Sequence, residues 1–278
     1  MPIVADKRAT FRKLHAEGCF VIPNPWDIGT ARYLQHLGFK ALATTSAGFA
    51  FSRGLADNAV PRDAVLAHIA EIVAATDVPV NADFEGGYAE TPEGVAESVR
   101  LCYGTGVSGL SIEDSKEDVN EPLYDFDLAL ARVKAARTAI DKAGGDVVLT
   151  ARTEGFIRGR PDLDETIRRL KAFSAAGADC LYSPGIRTRE QISAVIKAVA
   201  PKPVNVLIGW DSDLTVSDLT ALGARRISVG GALARAAWGG FMGAVKLIVE
   251  QGSFKGFAGT PPNADLNTMF KEDMAKRG

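Results

Sequence analysis

Asn81, Asp83 and Glu85 occupy alternate positions in the stretch Val78-Pro-Val-Asn-Ala-Asp-Phe-Glu-Gly-Gly-Tyr88. On a strand, that spacing puts all three on one face. Two carboxylates beside an amide repel one another and gain nothing from an apolar core, but a hard cation between them makes the arrangement tolerable. Further along, Ser111-Ile-Glu-Asp114 ends in Glu113 and Asp114, and Thr150-Ala-Arg-Thr-Glu154 ends in Arg152 and Glu154. Asp83, Glu85 and Glu113, with Asn81 beside them, suit Mg2+ (or Mn2+ in its place) retaining several waters. Arg152 is fork-shaped and always charged, which suits a carboxylate or a phosphonate; pairing with Glu154, or with Glu113 across neighbouring strands, is its structural alternative. Thr44, Ser46, Ala47 and Gly48 offer hydroxyls and backbone N–H groups to a carbonyl or carboxylate oxygen. Together these residues would hold a small anion with a metal-polarised oxygen, such as a 2-oxo acid passing through an enolate.

What is missing narrows the chemistry further. His15, His36 and His68 all fall in predicted helices, which argues against histidine-ligated zinc and a Ser-His-Asp triad. No lysine stands at a strand end, so Schiff-base chemistry is not expected. Cys19, Cys102 and Cys180 are widely spaced without a CxxC pair, which disfavours disulfides or structural zinc and fits a reducing cytoplasm. A net charge of −2 gives no basis for binding nucleic acid or an anionic membrane. No uninterrupted apolar run reaches ~18 residues, so no transmembrane helix is expected, and the N-terminus does not read as a signal peptide.

Positioning these residues falls to a regular alternation of elements. Strands are predicted at 19–22, 41–46, within 78–88, 109–114, 147–153, 180–183, 204–208 and 226–230, with helices between them. A helix-Gly-strand junction recurs at Gly38, Gly106, Gly177 and Gly223. Eight such units make an α/β protein of the (β/α)8 TIM-barrel type over residues 1–252, followed by a C-terminal arm at 253–278. A doubly wound open sheet is the alternative, but it would normally bring a GxGxxG after the first strand, which is absent. In a parallel barrel the C-terminal strand ends form the active face. Asn24, Asp27, Ser183, Asn205 and Ser228 join the residues above at those ends. The arm reads either as a surface tail or as a grip on a neighbouring subunit, with a short helix at 264–274.

In this order along the chain, Asn24-Pro-Trp-Asp27, Thr44-Thr-Ser-Ala-Gly48 with Gly54-Leu-Ala-Asp57, Asn81-Ala-Asp-Phe-Glu-Gly-Gly-Tyr88, Ser111-Ile-Glu-Asp114 and Thr150-Ala-Arg-Thr153 resemble the isocitrate lyase/phosphoenolpyruvate mutase superfamily, over about residues 11–252. The resemblance implies a Mg2+-dependent barrel enzyme acting on 2-oxo or 2-hydroxy acids or their phosphonates. It also implies a homo-oligomer, tetramer or dimer, in which the last barrel helix is exchanged between subunits. By position, Asp83 resembles the principal metal ligand, Glu113 a ligand acting through water, and Asp57 the aspartate beside the metal waters. Ser46, Ala47 and Gly48 resemble the stretch that binds substrate carboxylate and oxo oxygens, Arg152 the substrate-carboxylate arginine, and Asn205 the late barrel asparagine. Asn81 stands where one of a usual pair of aspartates is expected, with Glu85 as its replacement. The loop at 115–124 has none of the cysteine and histidine of the isocitrate-type lyases.

The resulting expectation is a Mg2+-dependent lyase, hydrolase or decarboxylase. It would cleave a C–C bond next to the carbonyl of a small 2-oxo or 2-hydroxy dicarboxylate, with Arg152, Glu113 and Asp57 in the chemistry. Tyr182 and Glu117 are further acid/base candidates. Phosphonate chemistry (phosphoenolpyruvate/phosphonopyruvate mutase or hydrolase) is the alternative, and a non-catalytic metabolite-binding barrel is the third reading.

Overall fold

The computed structural model describes residues 2–277. Short apolar runs form strands β1 (Phe20–Ile22), β2 (Leu42–Ala43), β3 (Val80–Asp83), β4 (Gly109–Glu113), β5 (Val148–Arg152), β6 (Cys180–Tyr182), β7 (Val204–Leu207) and β8 (Arg226–Ser228). Between and around them lie α1 (Val4–Ala16), α2 (Ile28–His36), α3 (Ser46–Ser52), α4 (Arg62–Ala75), α5 (Pro92–Gly104), α6 (Phe126–Ala143), α7 (Leu163–Ala175), α8 (Arg189–Val199), α9 (Val216–Ala221), α10 (Ala232–Gln251) and α11 (Asn263–Arg277). All strand pairs are parallel, in the order β1-β8-β7-β6-β5-β4-β3-β2. The seam between β1 and β2 is bridged by the Ala43 N–H on the Pro23 carbonyl at 3.0 Å. Asn24 reinforces it, donating to the Thr44 carbonyl at 2.9 Å while accepting from the Val229 and Gly230 N–H groups of the β8 end. The sheet is thus a nearly closed (β/α)8 barrel.

Local chemistry starts the helices where the sequence places them. Asp27, Thr91, Asp162, Thr188 and Thr215 each accept a backbone N–H of the first turn. Asp27 is therefore a helix cap. The main apolar core lies between the helices and the outer strand faces, with Leu42, Ile69, Phe84, Leu110, Leu149 and Phe173 among its fully buried members. A second core fills the barrel floor, where Phe11 of α1 plugs against Phe20, Ala41 and Val148. Gly109 opens β4 because a Cβ there would lie 2.6 Å from Phe11 Cε1 and 2.7 Å from Asn81 Oδ1.

Three elements depart from expectation. The second strand stops at Ala43, and residues from Ser46 onward form α3, whose N-cap Thr45 accepts the Gly48 N–H at 3.3 Å. The third strand stops at Asp83, so Glu85 follows a turn rather than the strand pleat. α10 is 20 residues long and, by length and composition, apolar enough to cross a membrane, yet 6% of its most apolar window is buried. Glycines and isolated charges interrupt its apolar run, which is why a search for an unbroken run misses it.

The arm folds back as α11, where Asp273 meets Arg32 at 3.5 Å and Arg277 meets Asp77 at 3.4 Å.

Candidate active site

The register of β4 and β5 sets Glu113 beside Arg152, and that of β5 and β6 sets Arg152 beside Tyr182. Arg152 becomes the hub of the strand-end face. Its Nη1 lies 2.7 Å from Asp83 Oδ1, and its Nη2 lies 3.1 Å from Glu113 Oε2 and 2.9 Å from Glu154 Oε1. The guanidinium carbon sits 4.8 Å from the centre of the Tyr182 ring. Glu154 is thus a member of the cluster, reached from β5 two residues beyond Arg152, the pairing foreseen as that arginine's structural alternative.

Asp83 is held from three sides. Its Oδ2 accepts the Ser46 N–H at 3.1 Å and the Ser46 hydroxyl at 3.2 Å, while its own N–H donates to Thr44 Oγ1 at 2.9 Å. Thr44 and Ser46 therefore act first as supports for Asp83. Ala47 follows half-buried. Gly48 is required by space, since a Cβ there would meet Thr45 Cγ2 at 2.6 Å and Trp26 Cβ at 3.0 Å.

Glu85 adopts a left-handed backbone, φ 47°, and accepts the Tyr88 hydroxyl at 2.9 Å. Among the described residues, the non-glycine positions with positive φ are Asn58, Glu85 and Tyr88, all of them around this site. Such conformations cost of order 1–3 kcal/mol each, and a site is where they concentrate. Burial, reinforced by the nearby Asp83, Glu113 and Asp57 carboxylates, pushes Glu85 up to about 8. Burial also raises Glu113 and Glu154, against the pull of Arg152. Asp57 lies on the solvent-facing loop after α3; partial desolvation and the Asp83 charge raise it, although its contact with Ser46 works the other way.

Two expected members lie elsewhere. Asn81 and Asn205 belong to a polar layer below the cluster. Asn205 Oδ1 accepts from Arg226 Nε at 2.8 Å and its Nδ2 donates to Ser228 Oγ at 2.9 Å. Asn81 Oδ1 lies 3.4 Å from Arg226 Nη1, and its Nδ2 donates to the Ala82 carbonyl at 3.1 Å. The strand period that aligns Asn81 with Asp83 also separates them by a full layer of depth, so Asn81 takes no acidic ligand's place. Asp114 is also structural, accepting from Thr153 Oγ1, the Glu154 N–H and Arg169 Nη1 at 2.8, 2.9 and 3.0 Å.

Over the cluster runs the loop at 115–124, closed on itself by the Lys116 N–H on the Pro122 carbonyl at 2.9 Å. Beneath it is a cavity of about 360 Å³ lined by Glu85, Glu113, Tyr88, Lys116, Glu117 and Arg158, among others. Arg158 carried no signal in the sequence, because it lies on a loop with no periodicity to place it.

Among the described residues, no three His, Cys, Asp or Glu side chains are arranged around a metal-sized point, and Asp83, Glu113 and Glu154 are turned onto Arg152 instead. The donor chemistry nonetheless fits a hard cation. Asp83, Glu113 and Glu154 meet one guanidinium with Glu85 nearby, and burial, with repulsion from neighbouring carboxylates, raises Glu85, Glu113 and Glu154.

A parallel barrel with acidic and arginine side chains gathered at its C-terminal strand ends is the arrangement of a (β/α)8 enzyme, whose active site lies at that face. Residues 11–249 match the family model described as phosphoenolpyruvate phosphomutase, and the chain belongs to that family, within the isocitrate lyase/phosphoenolpyruvate mutase superfamily of C–C lyases and mutases. A solved protein of Burkholderia cenocepacia J2315, described provisionally as a lyase/mutase, is 48% identical over 96% of both chains, with a TM-score of 0.92. The oxaloacetate decarboxylase of Paraburkholderia xenovorans (strain LB400) is 30% identical over 206 residues, 70% of this chain and 66% of that protein. An oxaloacetate acetylhydrolase solved with its product oxalate is 26% identical, covers 99% of both chains and has a TM-score of 0.85.

Proposed function

We propose that this enzyme cleaves the C–C bond next to the carbonyl of a small 2-oxo or 2-hydroxy dicarboxylate, with Mg2+ (or Mn2+) as cofactor. The observation behind this reading is the Arg152 cluster: one guanidinium faces three carboxylates at the barrel's active face. Relatives acting on oxaloacetate support the substrate class. Asp83 would hold the cation directly, with Glu85 and Glu113 acting through water. A bound Mg2+ supplies positive charge against the oxyanion that develops as the bond breaks.

The chain's own residues then have distinct tasks. Arg152 presents a fixed fork to a substrate carboxylate, and Tyr182 holds its plane. Ser46 and Thr44 keep Asp83 from turning. In the decarboxylase case the C–C bond to the distal carboxylate breaks, that carboxylate leaves as CO2, the electron pair passes into the carbonyl as an enolate, and the enolate takes a proton at carbon. Glu113, raised by burial and accepting the Ser115 hydroxyl at 3.1 Å, would hold that proton. Asp57 and Glu117 border the same space from exposed loops, and the Tyr182 hydroxyl, raised by burial, stays protonated.

Calorimetric titration with oxalate, a planar mimic of the enolate, tests this. Binding is expected with Mg2+ and not with chelator, and to be lost in Asp83→Ala. Equal heats with and without Mg2+ would end the reading. The family match itself favours phosphonate chemistry as the second reading; phosphorus NMR with phosphonopyruvate separates the two, since only that chemistry moves the C–P resonance.

We also propose a homo-oligomer that exchanges α10, supported by the exposed apolar face of that helix. A cytoplasmic location is supported by three cysteines that form no disulfide.

A further inference from the structure

Arg158 acts on Glu113 through its charge but is not in ion-pair contact with it. It lies one turn beyond Glu154, its N–H bonded to the Glu154 carbonyl at 3.0 Å, so β5 delivers both Arg152 and Arg158 to the same face. Its Nη2 donates to Ser115 Oγ at 3.2 Å, and Ser115 in turn donates to Glu113 Oε1 at 3.1 Å. It makes no ion pair among the described residues, whereas Lys116, on the same cavity wall, is paired with Glu121 at 3.3 Å. Its Nε is shielded from solvent and has no hydrogen-bond partner. A guanidinium with spare donors, one of them buried, is costly unless an acceptor arrives. The cavity it lines also contains Glu85 and Glu113, and Glu113 meets Arg152 at 3.1 Å, so the space borders the cluster around Arg152.

We propose that Arg158 binds the distal carboxylate of the substrate, and so selects 2-oxo dicarboxylates over 2-oxo acids with an uncharged far end. This rests on the function proposed above. The proximal carboxylate goes to Arg152, and the distal one completes the unused donors of Arg158 across the cavity. Because acidic side chains share that cavity, the dianion enters only when a cation offsets them, and distal recognition is itself Mg2+-dependent.

Calorimetry in Mg2+ with two probes tests the assignment: oxalate, which has no distal arm, and 3,3-difluorooxaloacetate, which has one. In Arg158→Gln, affinity for difluorooxaloacetate is expected to fall about 10- to 100-fold while oxalate stays within about twofold. Arg158→Lys, which keeps the charge and loses the fork, is expected to recover part of the loss. Retained oxalate binding also reports an intact fold. If difluorooxaloacetate loses no more than oxalate, the assignment of Arg158 is overturned while the proposed function stands. If oxalate fails to bind the unaltered enzyme with Mg2+, the proposed function falls and takes this inference with it.

Discussion

Arg152 satisfies Asp83, Glu113 and Glu154 at 2.7 to 3.1 Å, yet one positive charge cannot neutralise three negative ones, two of them buried. Before any cation binds, protons make up part of the difference. Glu85 titrates near 8 in the fold against an ordinary 4.5, and Glu113 and Glu154 are shifted in the same direction. The folded chain therefore keeps protons that the unfolded chain has released, and stability must fall as pH rises between those values. His15 and His68 work in the opposite sense. Burial holds them neutral, near 3 and 4 against 6.5, so their contribution grows with pH, is half complete at 6.5 and nearly complete about one unit higher. The interval above about pH 7.5, up to 8, thus isolates the carboxyl groups. Thermal unfolding in chelator should show a Tm that declines across it, and Glu85→Gln should flatten part of the decline. A Tm that rises with pH there would contradict the charge shortage. At this scale the sequence was informative about residue type and less so about depth. Asp83, Glu85, Glu113 and Arg152 share the strand-end face as expected, but Asn81 and Asn205 lie in the Arg226 layer, and a period of two does not state how far along the barrel axis a residue sits.

Between the loops that form the cavity, α6 contributes a clamp. Arg132 is 1% exposed and donates to the carbonyls of Gly86, Ala89 and, at 2.7 Å, Glu90, while its guanidinium stacks 4.0 Å from the Tyr124 ring. One side chain thereby ties the turn bearing Glu85 to the end of the 115–124 loop. Arg132→Met would leave three carbonyls without their donor, a loss of about 3 kcal/mol after relaxation. Arg132→Lys should recover little, because an ammonium on a flexible stem does not reproduce the fork. Urea unfolding measures both, and a loss below ~1 kcal/mol in the Met variant would show that the clamp is dispensable. Elements of this kind were only partly legible. The strands and the outer helices follow from apolar runs, caps and glycine stops, and they lie close to where those signals put them. α3 was not legible, because Ser-Ala-Gly-Phe-Ala-Phe-Ser has weak helical preference and its geometry is imposed by close packing of Gly48 on Trp26 and Ala234. The turn at Glu85 was hidden for the same reason: a left-handed glutamate is a choice made by surrounding structure.

α10 projects from the barrel with Phe241 60%, Met242 62% and Val249 78% exposed, and Phe254 and Phe257 of the following turn extend the same apolar character. Gly239, Gly240 and Gly243 have open space around them, enough for another backbone to approach closely. Two environments could cover such a face, a membrane or a second copy of the chain. The groove between α10 and the loop after α3 favours the second copy: it has a volume of about 500 Å³ and is lined by Phe51, Leu55, Arg235, Trp238 and Met242. It ends beside the loop that carries Asp57, so a neighbouring chain would also steady one edge of the site. Burying a phenylalanine contributes about 1.5–3 kcal/mol, and a carboxylate in its place adds a desolvation cost, so Phe241→Asp should weaken association at least ~100-fold. Sedimentation velocity should find the unaltered chain as a multimer and the variant shifted towards monomer. The same variant should bind oxalate more weakly with Mg2+ present, since the Asp57 loop loses its cover. Flotation with lipid vesicles decides between the environments. A chain that floats with vesicles and sediments as a monomer would assign α10 to the membrane, whereas a multimer that stays with the aqueous fraction would assign it to a neighbouring barrel.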